Sequence, residues 1–343
     1  KQRVLEDSLW HIGRVRPEQI LPAIHGPAWG YRQRARFTAR YVPKKGGSLV
    51  GFHERRSSYV ADMESCEVMP PRISRLIRPL RDLINALSIR SRLPQVEVAI
   101  GDETDVLVVR VLVPPAENDL ELLRRFAERH HVELYLQPGG PGSERPLPPA
   151  QPAELYYALP EFDLRIAFAP TDFIQVNHAV NRVLVRRAFA LLGPQPGERV
   201  ADLFCGVGNF TLAIARSGAT VVGVEGSAEL VHRAAANAEA NGLSAAASFV
   251  ERDLCRPGQD LLAGLGRFDR MLLDPPRDGA IEVVKALGGD APRRIVYVSC
   301  NPGTLARDAT VLTQTHGYRL SAAGVVNMFP HTAHVESIAV FDR

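Results

Sequence analysis

Cysteine is scarce in this chain: four residues in 343, at positions 66, 205, 255 and 300. So few thiols, so far apart, exclude a disulfide framework and suit a reducing compartment, which makes the cytoplasm the expected location. Long apolar runs are also missing. Nothing approaches the roughly 20 residues of a membrane-spanning helix, and no signal peptide opens the sequence, so neither membrane insertion nor secretion is expected. No internal repeat is present. The first residue is Lys1 rather than methionine, so a processed chain, or one lacking an N-terminal part, is expected.

A large charge surplus is absent as well, the formal net charge being +3, yet the distribution is uneven. Residues 1–60 hold 12 Lys and Arg against 4 Asp and Glu, and the remainder holds 29 against 34. A basic front on an acidic body points to a polyanionic partner, nucleic acid first, with a solvated charged face as the plainer alternative. The length allows two domains.

The front half reads as a small α+β module. In residues 29–41, Arg32, Arg34 and Arg36 alternate with Gln33, Ala35 and Phe37, which on a strand puts the arginines on one face. With Tyr31, Phe37 and Tyr41 nearby, such a strand could hold phosphates and stack bases, or could be a charged edge strand. Lys44–Gly47 reads as a turn into a second strand, and an apolar helical pattern starts near Pro71, just after Cys66. Further strands are expected at 95–100 and 106–113, a helix at 120–130 and a strand at 131–136. Residues 137–152 are too rich in Pro and Gly for regular structure.

From about residue 170 strands and helices alternate, the pattern of a doubly wound parallel sheet with a ligand crevice at its strand ends. The stretch 200–210 is an apolar strand ending in a glycine turn, Cys205-Gly206-Val207-Gly208, without the third glycine of a dinucleotide fingerprint. Glu225 ends the next strand, where a carboxylate can take both ribose hydroxyls, Asp253 ends a third and Asp274-Pro275-Pro276-Arg277 a fourth. An acid-rich crevice lacking a phosphate cradle suits a cationic nucleoside, and S-adenosylmethionine fits. The order of these elements looks like a class I methyltransferase.

Cys300 ends the strand 295–300, where it is either a packing residue or a nucleophile. Carbon 5 of a pyrimidine takes a methyl group readily only after a thiolate has added at carbon 6, and a base must then remove the carbon-5 proton. Glu336, at the start of the last strand, is the candidate base; an edge-strand charge is its plainer role. Arg277 replaces the aromatic residue expected of amine methyltransferases. His331 and His334 lack convincing further metal ligands.

The segments DFIQVN, DLFCGVGNF, GVEG, LLDPPRDG, VYVSCNPGTLARD and FPHTAHVES together resemble the RNA 5-methyluridine methyltransferases, and the last resembles the branch acting on 23S ribosomal RNA. The resemblance is dense over 170–343 and loose before it. It implies an α/β fold, with a class I Rossmann-like methyltransferase domain at 170–343 and a smaller α+β RNA-binding domain at 1–169. It implies Cys300 as nucleophile and Glu336 as base, and Gln175, Phe204, Asn209, Glu225, Asp253 and Asp274 as contacts to S-adenosylmethionine. The family's N-terminal β-barrel and three of its iron–sulfur cysteines have no counterpart here; Cys66 matches the fourth, so a [4Fe-4S] cluster would need a longer natural chain. RNA is the expected partner, with no membrane and a monomeric state. The same chemistry on transfer RNA, amine methylation, and a non-catalytic RNA-binding protein on a methyltransferase fold are the competing readings.

Overall fold

The structure, a computed structural model, describes residues 1–140, 142–256, 258 and 261–343. Two compact units emerge. The first comprises Lys1–Gly26, Ala158–Ile166 and Ala179–Arg343, and the second Pro27–Tyr157 and Ala167–His178.

The first unit is built on an eight-stranded sheet in the order Gln19–Ile20, Arg319–Val326, Glu336–Asp342, Arg294–Ser299, Arg270–Leu273, Arg199–Leu203, Thr220–Glu225 and Ala247–Glu251. The last five in that order are mutually parallel. They read as short apolar runs because sheets of this kind are buried on both faces: Val200, Ala201, Leu203, Leu272, Leu273, Ile295 and Val296 are all inaccessible. From Arg199–Leu203 the chain adds strands on one side and then returns to add them on the other. That reversal opens a crevice at the carboxyl ends of the strands. Glu336–Asp342 runs antiparallel to both its neighbours, so its first residue, rather than its last, lies at this edge.

Residues 1–26 belong to this unit, which differs from a single boundary at residue 169. The reason is a two-residue apolar stripe one helical turn apart. Leu5 and Leu9 of helix Gln2–His11 are buried in the same core as Leu305, Ala306 and Leu312 of helix Pro302–Gln314. The chain then adds Gln19 and Ile20 as a parallel edge strand beside Ala322 and Ala323.

The second unit carries a six-stranded sheet in the order Gly47–Gly51, Arg34–Val42, Gln95–Ile100, Asp105–Arg110, Glu133–Gln137 and Arg145–Pro146. Helix Glu117–His130 crosses between two parallel strands of this sheet. The helical pattern after Cys66 breaks into Pro71–Ser74 and Ile77–Ala86, the second burying Ile77, Leu80, Leu83 and Ile84. Within 137–152, read as irregular, Arg145 and Pro146 pair with Leu136 and Tyr135.

Strand Arg34–Val42 alternates as its sequence suggests, with Ala35, Phe37 and Ala39 inward. Its arginines are not equivalent. Arg32 precedes the strand, its Nε donating to the Arg34 carbonyl at 2.8 Å. Arg34 is 17% exposed; it donates to the carbonyls of Thr171, at 2.7 Å, and Asp172, and lies 3.5 Å from buried Glu97. Arg36 meets Glu97 at 2.9 Å but stays 64% exposed. Arg34→Ala is therefore expected to cost about 2–3 kcal/mol in denaturant unfolding, because it strands two carbonyls and half the neutralisation of Glu97. Arg36→Ala should cost under about 1 kcal/mol in the same measurement.

Candidate active site

The sheet of the first unit brings four chain ends to one edge: Leu203 leading into the glycine turn, Glu225, Leu273 leading into Asp274, and Ser299 leading into Cys300. The start of the antiparallel strand adds Glu336.

On the glycine-turn side, Phe204 has φ +67°, Gly206 +55° and Gly208 +92°. A non-glycine residue held at positive φ costs energy, and such strain gathers at ligand sites. A Cβ added at Gly206 would meet open space, so the turn presents bare backbone there. The Glu225 carboxylate is fixed by the amides of Gly206 at 3.1 Å, Gly226 at 2.8 Å and Ser227 at 3.2 Å. Behind the turn Asp202 is fully buried. It accepts from the Thr211 hydroxyl at 2.5 Å, and its Oδ1 has no hydrogen-bond partner among the described residues. Burial, and then the neighbouring charges of Asp274 and Glu225, push its pKa to about 7. Asn209 is held by paired amide bonds with Asn181, at 2.9 and 3.0 Å. Asn181 lacked any sequence signal, because its partner lies 28 residues on and Asn181 itself belongs to no recognisable spacing.

Asp253 lies two residues beyond the end of its strand, Ala247–Glu251, and is exposed. It accepts from the Cys255 amide at 3.0 Å and pairs with exposed Arg256 at 2.9 Å. Gln175 belongs to the second unit, where it is half-buried beside Val176, whose carbonyl accepts from the Gln33 amide at 2.7 Å. The open turn, the fixed carboxylate at a strand end and the surrounding acidic groups fit an adenosyl ligand bearing positive charge.

At the other side of the edge, the antiparallel register sets Ser299 opposite Ser337. Glu336 precedes Ser337 on its strand and Cys300 follows directly on the end of the other, so both lie at this edge of the sheet. Cys300 is half-buried. Its thiol pKa is raised, by burial first and then by Glu336 and Asp274, while Arg277 acts in the opposite sense. Asn301 caps the following helix, its Oδ1 accepting from the Gly303 amide at 3.0 Å, with Pro302 at the first helical position. The same side chain donates to the Arg277 carbonyl at 3.2 Å, and the Thr304 hydroxyl donates to it at 3.1 Å. The loop after Asp274 is thus tied to the loop after Cys300. Arg277 also reaches His334 Nδ1 at 3.1 Å.

Glu336 is 7% exposed, and its Oε2 has no hydrogen-bond partner among the described residues. Burial, reinforced by Asp274 and opposed by Lys1, pushes its pKa up to about 8. A carboxyl with basicity near neutrality, placed beside a thiol, is the pairing that addition followed by proton removal requires.

Among the described residues no group of three or more His, Cys, Asp or Glu side chains is arranged to hold a metal ion. Cys66 packs against the core of the second unit, its amide donating to Ser74 Oγ at 2.8 Å. Cys205, Cys255 and Cys300 all belong to the first unit. The residues of this chain do not fit an iron–sulfur cluster by themselves, and Cys66 gains no support as a ligand.

A family model described as tRNA (uracil-5-)-methyltransferase matches residues 161–343. The chain is 60% identical, over its whole length and 79% of the relative's, to the 23S rRNA (uracil(1939)-C(5))-methyltransferase RlmD of Nitrosospira multiformis. It has the same identity and coverage with the protein of that name from Dechloromonas aromatica. Among solved structures, the Pyrococcus abyssi tRNA (uracil-54, C5)-methyltransferase in complex with S-adenosyl-L-homocysteine is similar at a TM-score of 0.76 and 24% identity. That match covers 99% of this chain and 82% of the other, and bears on the fold alone.

Proposed function

Because this chain belongs to the RNA uracil-5-methyltransferase family, we propose that it methylates carbon 5 of a uridine in 23S rRNA, at the position equivalent to the uracil 1939 of its relatives' names. Cys300 is the nucleophile and Glu336 the base. The observation that carries this reading is that Cys300 directly follows Ser299, which is paired with Ser337 next to Glu336, and feels the charge of Glu336, which is itself buried with a pKa near 8. S-adenosylmethionine, when bound, supplies an electrophilic methyl group. Glu225, Phe204, Asn209, Asp253 and Asp274 of the first unit are the residues proposed to hold it, Glu225 through its strand-end carboxylate.

Cys300 sulfur bonds to carbon 6 as the 5,6 double bond shifts its electron pair toward carbon 5 and the adjacent carbonyl oxygen. Arg277, whose charge favours the thiolate, supports that step. Carbon 5 would then take the methyl carbon as that carbon's bond to the donor's sulfonium sulfur breaks, the electron pair leaving with the sulfur as the neutral thioether. Glu336 removes the carbon-5 proton, the C–H electron pair restores the double bond, and the carbon–sulfur bond breaks to return the thiolate. Glu336 must be ionised before this last step, so catalysis is expected to rise with pH through its titration.

Among the 12 Lys and Arg of residues 1–60, the exposed Arg36 and Arg40 share one face of strand Arg34–Val42 and supply charge for the RNA backbone. The test is methyl transfer from labelled S-adenosylmethionine to two unmodified transcripts, a 23S rRNA fragment spanning the equivalent uridine and a transfer RNA, followed by nucleoside analysis. Label in 5-methyluridine from the rRNA fragment is expected. Label confined to the transfer RNA would overturn the rRNA assignment, and label on an exocyclic amine would overturn the chemistry.

A further inference from the structure

Lys1 stands 335 positions from Glu336 in the sequence, yet its ammonium serves the turn from which that residue emerges. Its Nζ donates to Asn327 Oδ1 and to the Phe329 carbonyl, each at 2.7 Å. Asn327 follows directly on Val326, which is paired in register with Glu336, so both bonds fall on the loop joining the two strands at the catalytic edge. The position of Lys1 is set by burial. Leu5 and Leu9 lock helix Gln2–His11 into the core shared with Leu305 and Val325, and the Leu5 amide donates to the Lys1 carbonyl at 3.1 Å. The half-buried ammonium has given up water for two fixed acceptors, an arrangement that tolerates little displacement.

The groups acting on Glu336 are of two signs. Asp274, at the end of strand Arg270–Leu273, disfavours its charge, and Lys1 favours it; Cys300, on the neighbouring strand, feels Glu336 in turn. Arg277 and His334, bonded to each other at 3.1 Å, are further titratable groups at this edge, with Glu225 and buried Asp202 on its glycine-turn side.

We propose that Lys1 is a positioning residue for the catalytic base: it pins the Asn327–Phe329 segment of the loop that leads to Glu336 and sets a positive charge that favours the ionised carboxylate, easing its ionisation for removal of the carbon-5 proton. This rests on the reading of Glu336 as base. The role is electrostatic and geometric, with no proton passing to Lys1, whose ammonium pKa is lowered by burial while Glu336 acts in the opposite sense.

The proposal predicts a defect confined to one step and one pH range. In single-turnover reactions with uridine-containing RNA and S-adenosylmethionine, the covalent protein–RNA intermediate is quenched at intervals and its decay followed from pH 6.5 to 9.5. In Lys1→Met the decay is expected to be about tenfold slower at pH 7, with the pH midpoint about one unit higher and the loss recovered at high pH. Formation of the adduct with 5-fluorouridine RNA, which needs no base, should keep its wild-type rate, and Lys1→Arg should restore the wild-type pH profile. A wild-type decay profile in Lys1→Met would overturn the proposal. So would equal losses in adduct formation and decay at every pH, which mark general structural damage. Glu336→Gln separates the two readings: wild-type decay in that variant removes the base assignment and this inference together, whereas a blocked decay beside an unaltered Lys1→Met profile removes this inference alone.

Discussion

Cys300→Ala is expected to abolish the covalent adduct with 5-fluorouridine RNA and to lower methylation by at least about four orders of magnitude, since no other group can raise the nucleophilicity of carbon 5. The trap works because fluorine at carbon 5 cannot leave as a proton, so the reaction stops with sulfur still bonded to carbon 6. Stability should hardly change. The residue is half-buried, and its loss removes one sulfur from a site that already faces the crevice. The measurement is a denaturing gel and mass spectrum of protein incubated with the fluorinated RNA and S-adenosylmethionine. An adduct that survives in Cys300→Ala would move the nucleophile elsewhere. Cys205, buried with its thiol pKa pushed well up, and Cys255, which follows Asp253 at another strand's end, are the other thiols of the first unit.

Glu336→Gln should produce the opposite picture, an adduct that accumulates on ordinary uridine. Addition and methyl transfer precede the base, so they proceed, and release slows by about 10²–10⁴-fold. The same substitution should stabilise the fold at alkaline pH. With a pKa raised from 4.5 to about 8, the folded state holds a proton that the unfolded state has lost between those values. Stability of the wild-type chain therefore falls as pH rises through that window and levels off above it. Gln cannot ionise, so Glu336→Gln should match wild type below about pH 4.5 and exceed it by about 2–4 kcal/mol above pH 8. Denaturant unfolding at pH 5 and pH 8.5 measures the difference. A wild-type advantage at pH 8.5 would mean that the carboxylate is better solvated than its buried, unbonded Oε2 implies.

Activity and stability thus pull against one another at this residue. The isolation proposed to suit Glu336 to act as a base near neutral pH makes it a costly residue to ionise, and Lys1 offsets part of that cost.

The donor side of the site was legible in the sequence. The apolar strand, the glycine turn and Glu225 lie within 26 residues, so local pattern alone places this carboxylate at a strand end. Cys300 was legible for the same reason: Asn301 and Pro302 stop its strand and start a helix. The front sheet could be traced from alternation, down to the inward Ala35, Phe37 and Ala39. Alternation could not divide the arginines, because whether a guanidinium on that face meets solvent or the carbonyls of Thr171 and Asp172 depends on a segment more than 130 residues away.

What the sequence by itself determined is what short-range rules govern: strand and helix identity, the doubly wound order, and the residue types placed at the strand ends. The tertiary structure alone decided that residues 1–26 complete the catalytic unit, that Glu336 comes to Cys300 through an antiparallel strand, that Asn181 steadies Asn209, and that Lys1 answers the buried charge. Each of these joins residues far apart in the chain, and periodicity carries no information about such pairs. They are chosen by the cost of leaving an apolar stripe exposed or a buried charge unanswered, and that cost exists only once the chain has closed on itself.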